Sequence, residues 1–178
     1  MKTSFESARL LFRELQPTDA EAMFALDSDP DVMKYVGMQP LTDIAQTREI
    51  IANIRQQYID YGIGRWAVVL KDTGEVIGWA GLKFIKHLNG FDDNYDLGYR
   101  FLKKHWNNGY GFESAQAWID FGFDEMELDR ITAYVDVNNA ASVNILEHKC
   151  GMRKINTFLD EGDVCAWYEI LREERPLR

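Results

Sequence analysis

Trp106-Asn107-Asn108-Gly109-Tyr110-Gly111-Phe112-Glu113 is the stretch on which the fold turns. Upstream of it, Tyr95, Leu97, Tyr99 and Phe101 alternate with Asp96, Gly98 and Arg100, the period of a strand with two unlike faces. Downstream, Phe112, Ala115 and Ile119 share a helical stripe that ends near Gly122. A strand therefore passes into a helix through a segment with glycines at 109 and 111. Backbone N–H groups at the amino end of a helix, unobstructed where a side chain is missing, cradle a phosphate or diphosphate. The helix end adds about half an elementary charge, and Arg100, Lys103 and Lys104 stand just upstream. Position 114 is Ser, so the dinucleotide fingerprint GxGxxG is not met, and Gly-x4-Gly-Lys-Ser/Thr is absent. Taken alone, the segment is either a phosphate cradle or a plain turn.

Working outward, residues 9–15 form a short apolar strand stopped by Pro17. Thr18 and Glu21 have the spacing of a capping box that starts a helix through Asp27, and Asp29-Pro30 ends it. A loop with Tyr35, Gly37 and Pro40 precedes a second helix, marked by Ile51, Ile54, Tyr58 and Tyr61 and closed by Gly62. Residues 65–71 and 75–85 flank Asp72-Thr73-Gly74 as a hairpin. Residues 87–94, polar and glycine-containing, read as a loop before the strand 95–102. Beyond the central helix, 131–137 alternates as a strand, 140–149 is a helix stopped by Gly151, and strands 154–159 and 164–171 are joined by Asp160-Glu161-Gly162. The order predicts an α+β chain: a mixed, mostly antiparallel twisted sheet of about seven strands with helices on both faces. No linker or repeat interrupts it, so residues 1–178 read as one domain.

Composition narrows the function. With 46% hydrophobic and 28% charged residues, thirteen Gly and four Pro, the chain has the material for a core. A formal charge of −9 argues against duplex nucleic acid, which is bound by neutralising phosphates. Free charges farther apart than about 8 Å are screened at physiological salt, so local basicity near the glycines survives that global acidity. Cys150 and Cys165 have no CxxC or Cys/His spacing, which supports neither a disulfide framework nor a metal site. The first fifteen residues carry Lys2, Glu6, Arg9, Arg13 and Glu14 and lack a secretion signal. Nor does any run approach the roughly 18 uninterrupted apolar residues of a membrane span. A cytoplasmic protein without membrane or nucleic-acid partners is expected, and its oligomeric state, monomer or homodimer, stays open.

A second informative segment is Val137-Asn138-Asn139-Ala140-Ala141-Ser142-Val143-Asn144, where a strand meets the first turn of a helix. Asn139 is either a helix cap or a ligand-holding group. Together with these two segments, the ordered set Arg9-Leu10-x-x-Arg13, Val76-Ile77-Gly78-x-x-Gly81, Leu97-Gly98-Tyr99, Asp129-Arg130-Ile131 and Gly151-Met152 resembles the GNAT superfamily of acetyl-CoA-dependent N-acetyltransferases. Within it the chain is similar to the RimJ/RimL-like branch of ribosomal-protein N-terminal acetyltransferases. The likeness runs from Arg9 to about Tyr168.

That resemblance implies a cofactor, acetyl-CoA, and a place for it. The strands ending at Phe101-Leu102 and at Val137 would splay, leaving backbone groups of the former for pantetheine to pair with. The diphosphate would rest on the amides of Asn107, Asn108, Gly109, Tyr110, Gly111 and Phe112, and Asn139 and Asn144 would hold the pantetheine arm. Two departures stand out. Trp106 occupies the place where the usual loop begins with Gln or Arg, so backbone donors must suffice. Leu146 stands where many members carry a Tyr that protonates the departing thiolate, and Ser142 is the replacement suggested by the likeness.

The expected chemistry is direct attack by a neutral amine in a ternary complex. Deprotonating a lysine side chain at pH 7 costs about 4.6 kcal/mol, against little more than 1 for an α-amine. Asp96 is the one candidate base, acting directly or through water, unless it is a solvated strand-face residue. The acceptor site is expected from loops 29–41, 87–94 and 160–162, with Tyr35 and Trp79 lining it or serving as core. Three functions follow: acetylation of a protein or peptide N-terminal α-amine, acetylation of a small amine such as a polyamine, antibiotic or amino-acid derivative, or acyl-CoA binding without catalysis.

Overall fold

A computed structural model describes residues 2–175 and gathers their strands into one eight-stranded sheet. The strands are β1 (Ser4–Glu6), β2 (Leu10–Glu14), β3 (Arg65–Leu70), β4 (Val76–Leu88), β5 (Phe91–Phe101), β6 (Arg130–Asp136), β7 (Arg153–Asp160) and β8 (Asp163–Leu171). Their order is β1-β2-β3-β4-β5-β6-β8-β7. Neighbours are antiparallel except β5 and β6, which run parallel. The mixed, mostly antiparallel sheet is thus as expected, with one strand more: β1 has three residues, too few to show a period.

Strand alternation divides the core. Trp66, Val68 and Leu70 of β3 point into the larger apolar cluster with Leu82, Leu97, Trp118 and Ile119, while Ala67 points into a second with Leu15, Met23, Leu26 and Ile51. Helix α4 (Tyr110–Asp124) covers the first face. Helices α1 (Ala20–Asp27) and α3 (Ile44–Tyr61) cover the other, and a short α2 (Pro30–Met33) lies between them in sequence. The helix expected over 140–149 begins as α5 (Ala140–Val143) and continues to Lys149 in the wider π form.

Four local expectations are corrected. Residues 87–94 are not a loop: β4 and β5 stay paired out to Leu88↔Phe91, and Asn89 and Gly90, at φ 53° and 77°, make the tight turn. Asn-Gly suits a turn with two positive φ angles, and the polar side chains beside it are used in place, Asn89 donating to Asn156 Oδ1 and Asn94 to Phe91 O, each at 2.8 Å. Asp29-Pro30 ends α1 but also starts α2, since Asp29 Oδ1 accepts the Asp31 N–H at 2.9 Å. Helix α4 runs two residues past Gly122, to Asp124. The box before α1 is built by Gln16 and Asp19, not Thr18 and Glu21: Asp19 Oδ2 accepts the Gln16 N–H at 2.8 Å and both carboxylate oxygens accept from Arg13.

Asp19 carries a pH prediction. Burial pushes its carboxyl up, but the bonds from Arg13 and Gln16 outweigh that and hold it below the ordinary range. A carboxyl lowered in the folded state stabilises above its unfolded value, about 3.9, and that stability is lost as pH falls through the folded value. Melting temperature is therefore expected to drop below about pH 4, and Asp19→Asn to flatten that drop while lowering stability at pH 7. An unchanged acid limb in the variant would refute the assignment.

Candidate active site

The site follows from one weak seam. Among the described residues the register of β5 with β6 is the single match Asp96↔Thr132, so past it the two strands diverge toward their carboxyl ends. Leu102 N–H donates to Ile77 O (2.9 Å), on the β4 side. Alternation then turns the main-chain groups of Phe101 and Tyr99 toward the gap. The Phe101 carbonyl is engaged there by Trp106 Nε1 at 2.9 Å.

A cavity of about 610 Å³ occupies the gap. Of the residues expected at the site, Phe101, Asn107, Gly109, Tyr110, Gly111, Phe112, Asn139, Asn144, Ser142, Asp96, Tyr35 and Trp79 line it, whereas Leu102 and Asn108 do not. Leu102 faces β4 and packs with the second cluster, and Asn108 Nδ2 bonds back to Trp106 O and His105 O. The loops expected to hold an acceptor divide likewise: Asp31, Val32, Tyr35, Val36 and Gly37 line the cavity, as do Asp160, Glu161 and Asp163, but nothing from 87–94 does.

At one end stands the helix start. Gly109 is the N-cap at φ 81°, and the ladder of α4 opens with Glu113 N–H donating to Gly109 O at 3.0 Å. The amides of Tyr110, Gly111 and Phe112 are left directed out of the helix end. That geometry fits the diphosphate of a coenzyme A donor, with the diverging strand edge for its arm. In the middle, Asn139 Oδ1 accepts the Ser142 N–H at 3.2 Å, so Asn139 is a cap that also faces the cavity. The Tyr99 hydroxyl is buried beside the Ser142 side chain, without a hydrogen bond of good geometry, and burial pushes its ionisation up despite that neighbour.

At the other end Asp96 is buried, which rules out a solvated strand face. Its Oδ2 accepts from Arg65 Nη2 at 2.5 Å, and Oδ1 has no partner. Burial raises its ionisation, opposed by the Arg65 charge. Gly98 makes this pair possible, since a Cβ there would lie 2.6 Å from Arg65 Nη2. Trp79 lies between two guanidinium groups, with Arg65 at 5.3 Å and Arg100 at 4.9 Å from its ring, and Arg100 pairs with Asp27 at 2.5 Å. Asp136, Asp160, Glu161 and Asp163 also line the cavity, and burial together with the fields of Asp160, Asp136 and Asp163 pushes the Cys165 thiol up to about 11. Arg65, Tyr134 and Asp136 escaped sequence reasoning. The signal that could have found Arg65 was a glycine, Gly98, beside an acidic residue on the same central strand.

Among the described residues, no cluster of three or more His, Cys, Asp or Glu is placed to hold a metal, and no helix is long and apolar enough to cross a membrane.

Comparison with known proteins agrees with this geometry. The model of an acetyltransferase (GNAT) domain matches residues 9–153. An uncharacterized N-acetyltransferase, p20, of Bacillus licheniformis is 35% identical over 138 residues, 78% of this chain and 76% of that protein. The crystal structure of a GNAT-family acetyltransferase from Bacillus anthracis superposes with a TM-score of 0.80 at 31% identity, covering 96% of this chain and 99% of that one. A spermidine N-acetyltransferase from Vibrio cholerae, crystallised with CoA and spermine, shares the fold at 18% identity and a TM-score of 0.75, covering 94% of this chain and 98% of that one.

Proposed function

Because the chain belongs to the GNAT family and is an acetyl-CoA-dependent N-acetyltransferase, we propose that its acceptor is the N-terminal α-amine of a protein or peptide. The observation that carries this is the state of Asp96, the one candidate base, whose carboxylate is buried and tied to Arg65. A carboxylate so engaged is poorly placed to strip a lysine ammonium, whose deprotonation at pH 7 costs about 4.6 kcal/mol, but an α-amine needs little more than 1. Asp136, Asp160, Glu161 and Asp163 favour entry of an ammonium group. Leu159 and Val164, paired across the adjoining hairpin and 73% and 46% exposed, offer apolar contact to a peptide side chain. The RimJ/RimL-like assignment rests on the ordered motif set, with Trp106 at the start of its glycine loop, and the same proposal takes residues 1–178 as one domain acting in the cytoplasm.

When bound, acetyl-CoA supplies the thioester carbonyl that the amine attacks and the thiolate that leaves. The amides at Tyr110 to Phe112 would hold the diphosphate, and the Tyr99 N–H, turned away from β4 into the gap, would be available as a donor to the acetyl carbonyl. Tyr99, held protonated by burial, lies beside Ser142 without a formed bond, and a small turn of either hydroxyl would let the phenol donate to Ser142 Oγ, a phenol being the better donor and an alkyl hydroxyl the better acceptor. With that bond made, the Ser142 hydroxyl proton would be free to point into the cleft and protonate the departing thiolate.

A small cationic acceptor is the second proposal, favoured by the same carboxylates. Thiol release from acetyl-CoA, measured with free and N-terminally blocked peptides, polyamines and aminoglycosides, separates the two. Turnover with free peptides that disappears on blocking is expected. Turnover with polyamines alone would overturn the peptide reading.

A further inference from the structure

Two motif segments far apart in sequence meet behind the loop that precedes α4. The Glu113 carboxylate accepts three donors: Ser7 Oγ–H at 2.7 Å and the Arg9 main-chain N–H at 2.8 Å on Oε1, and Arg9 Nε–H at 2.7 Å on Oε2. Arg9 Nη1 donates to Asn108 O at 2.9 Å, and the guanidinium carbon lies 4.5 Å from the centre of the Tyr110 ring. A Cβ on Gly109 would stand 3.4 Å from Arg9 Nη2. One guanidinium therefore touches the carbonyl before the N-cap, the N-cap itself, the first ring of the helix and the carboxylate of its first turn.

The loop needs such a support. Asn107 and Gly109 both lie in the left-handed region, at φ 61° and 81°. Asparagine tolerates that conformation better than other non-glycine residues but gains no stability from it, so contacts that hold the loop favour it. Asn108 ties the loop to itself, through Trp106 O and His105 O, but Arg9 ties it to the sheet. Partial burial pushes the Glu113 carboxyl up, yet the bonds from Ser7 and Arg9 prevail and keep it ionised below the ordinary range. The Arg9 charge is offset by Glu113, so its effect is one of position rather than of long-range attraction.

We propose that Arg9 and Glu113 form a clamp that presets the main-chain amides for a diphosphate, making Arg9 a positioning residue through which the enzyme selects donors that carry one. The inference rests on reading 107–112 as the diphosphate site. It also accounts for Trp106: with the loop fixed from behind by a guanidinium from the bend just before β2, a cationic side chain at position 106 is dispensable.

The test compares acetyl-CoA with acetyl-pantetheine, which keeps the thioester arm and lacks the diphosphate. In Arg9→Gln and Glu113→Gln, kcat/KM for acetyl-CoA is expected to fall about tenfold or more, and that for acetyl-pantetheine to change less than about twofold. Equal losses on both donors, or no loss on either, would overturn the clamp. An unaltered enzyme that uses both donors equally would instead remove the diphosphate site itself, and the clamp with it. Should melting curves show both variants unfolded, Ser7→Ala removes one donor to Glu113 and carries the same comparison. A loss of about threefold confined to acetyl-CoA is then expected, and an equal or absent loss overturns the proposal.

Discussion

Gly111→Phe is expected to weaken acetyl-CoA binding by at least about 100-fold, some 2.7 kcal/mol, in a protein that still folds. Gly111 is the second helical residue of α4 and its backbone is ordinary, so the missing side chain does not serve a special φ angle. What it serves is an approach: a Cβ there would lie 2.9 Å from Ile145 Cδ1 and 3.7 Å from Tyr99 Cε2. A methyl group meets only the far end of a flexible side chain, which makes Gly111→Ala the mild control. A phenyl ring must wedge between α4 and the π turn that follows α5, displacing Ile145 and Tyr99, both of which line the cavity. Overpacking of this kind costs about 1–3 kcal/mol, which a whole domain tolerates but a preset donor site does not. Calorimetric titration with acetyl-CoA, alongside a melting curve, reads the two effects apart. Unchanged affinity in a folded Gly111→Phe protein would take the loop out of the donor site.

The two glycines illustrate what the sequence could and could not convey. Their positions between a strand period and a helix period located the loop, but both glycines looked alike on paper. In the structure Gly109 is needed for its left-handed backbone and Gly111 for close packing against a helix that begins about thirty residues later. The strand–helix order was legible for a similar reason: each element buries one face, so its period survives in the residues. The hairpin tip around Asn89-Gly90 packs on β7 and β8 through isolated residues, Asn89 on Asn156 and Phe91 on Trp167, so no apolar alternation marks it and the turn dipeptide is its one sign. The break from α to π winding at Asn144 had no local signature at all, since the same apolar stripe fits both.

Site chemistry divides along the same line. Residues that act through the main chain, near Gly109 and Asn139, are marked by residue types with backbone preferences. Residues that act through a distant partner are not. Asp96 looked like either a base or a solvated acid, and its state was decided by Arg65, whose guanidinium reaches it across Gly98. Glu113 is an acidic residue in the first turn of α4, where its charge suits the helix dipole, and Ser7 and Arg9 give it a second task. In each case the pairing spans more than thirty residues of chain, and no single-sequence pattern encodes which two will meet. The acidic charge total carries through to the site, because Arg9, Arg65 and Arg100 are each paired with a carboxylate while Asp160, Glu161 and Asp163 also line the cavity.

Ser142→Ala is expected to lower kcat about 100-fold, within the range for losing a general acid, and to leave the affinity for acetyl-CoA within about twofold. The two effects separate because Ser142 does two jobs with different atoms. Its main-chain N–H binds the Asn139 cap, which an alanine keeps, so the helix start and its contacts survive. Its hydroxyl faces the cavity beside Tyr99. Because the Tyr99 phenol makes no formed bond to that hydroxyl, removing it is expected to change stability by less than about 1 kcal/mol in a denaturant titration. Tyr99→Phe tests the order of the relay. If Tyr99 works through Ser142, the double variant turns over no more slowly than Ser142→Ala alone, whereas two independent donors give multiplied losses. A Ser142→Ala enzyme with full kcat would remove the serine from proton transfer altogether. The Tyr99 phenol on β5, buried beside Ser142, would then be the next group to test as the acid, and Leu146 would mark a tyrosine replaced from the strand rather than from the helix.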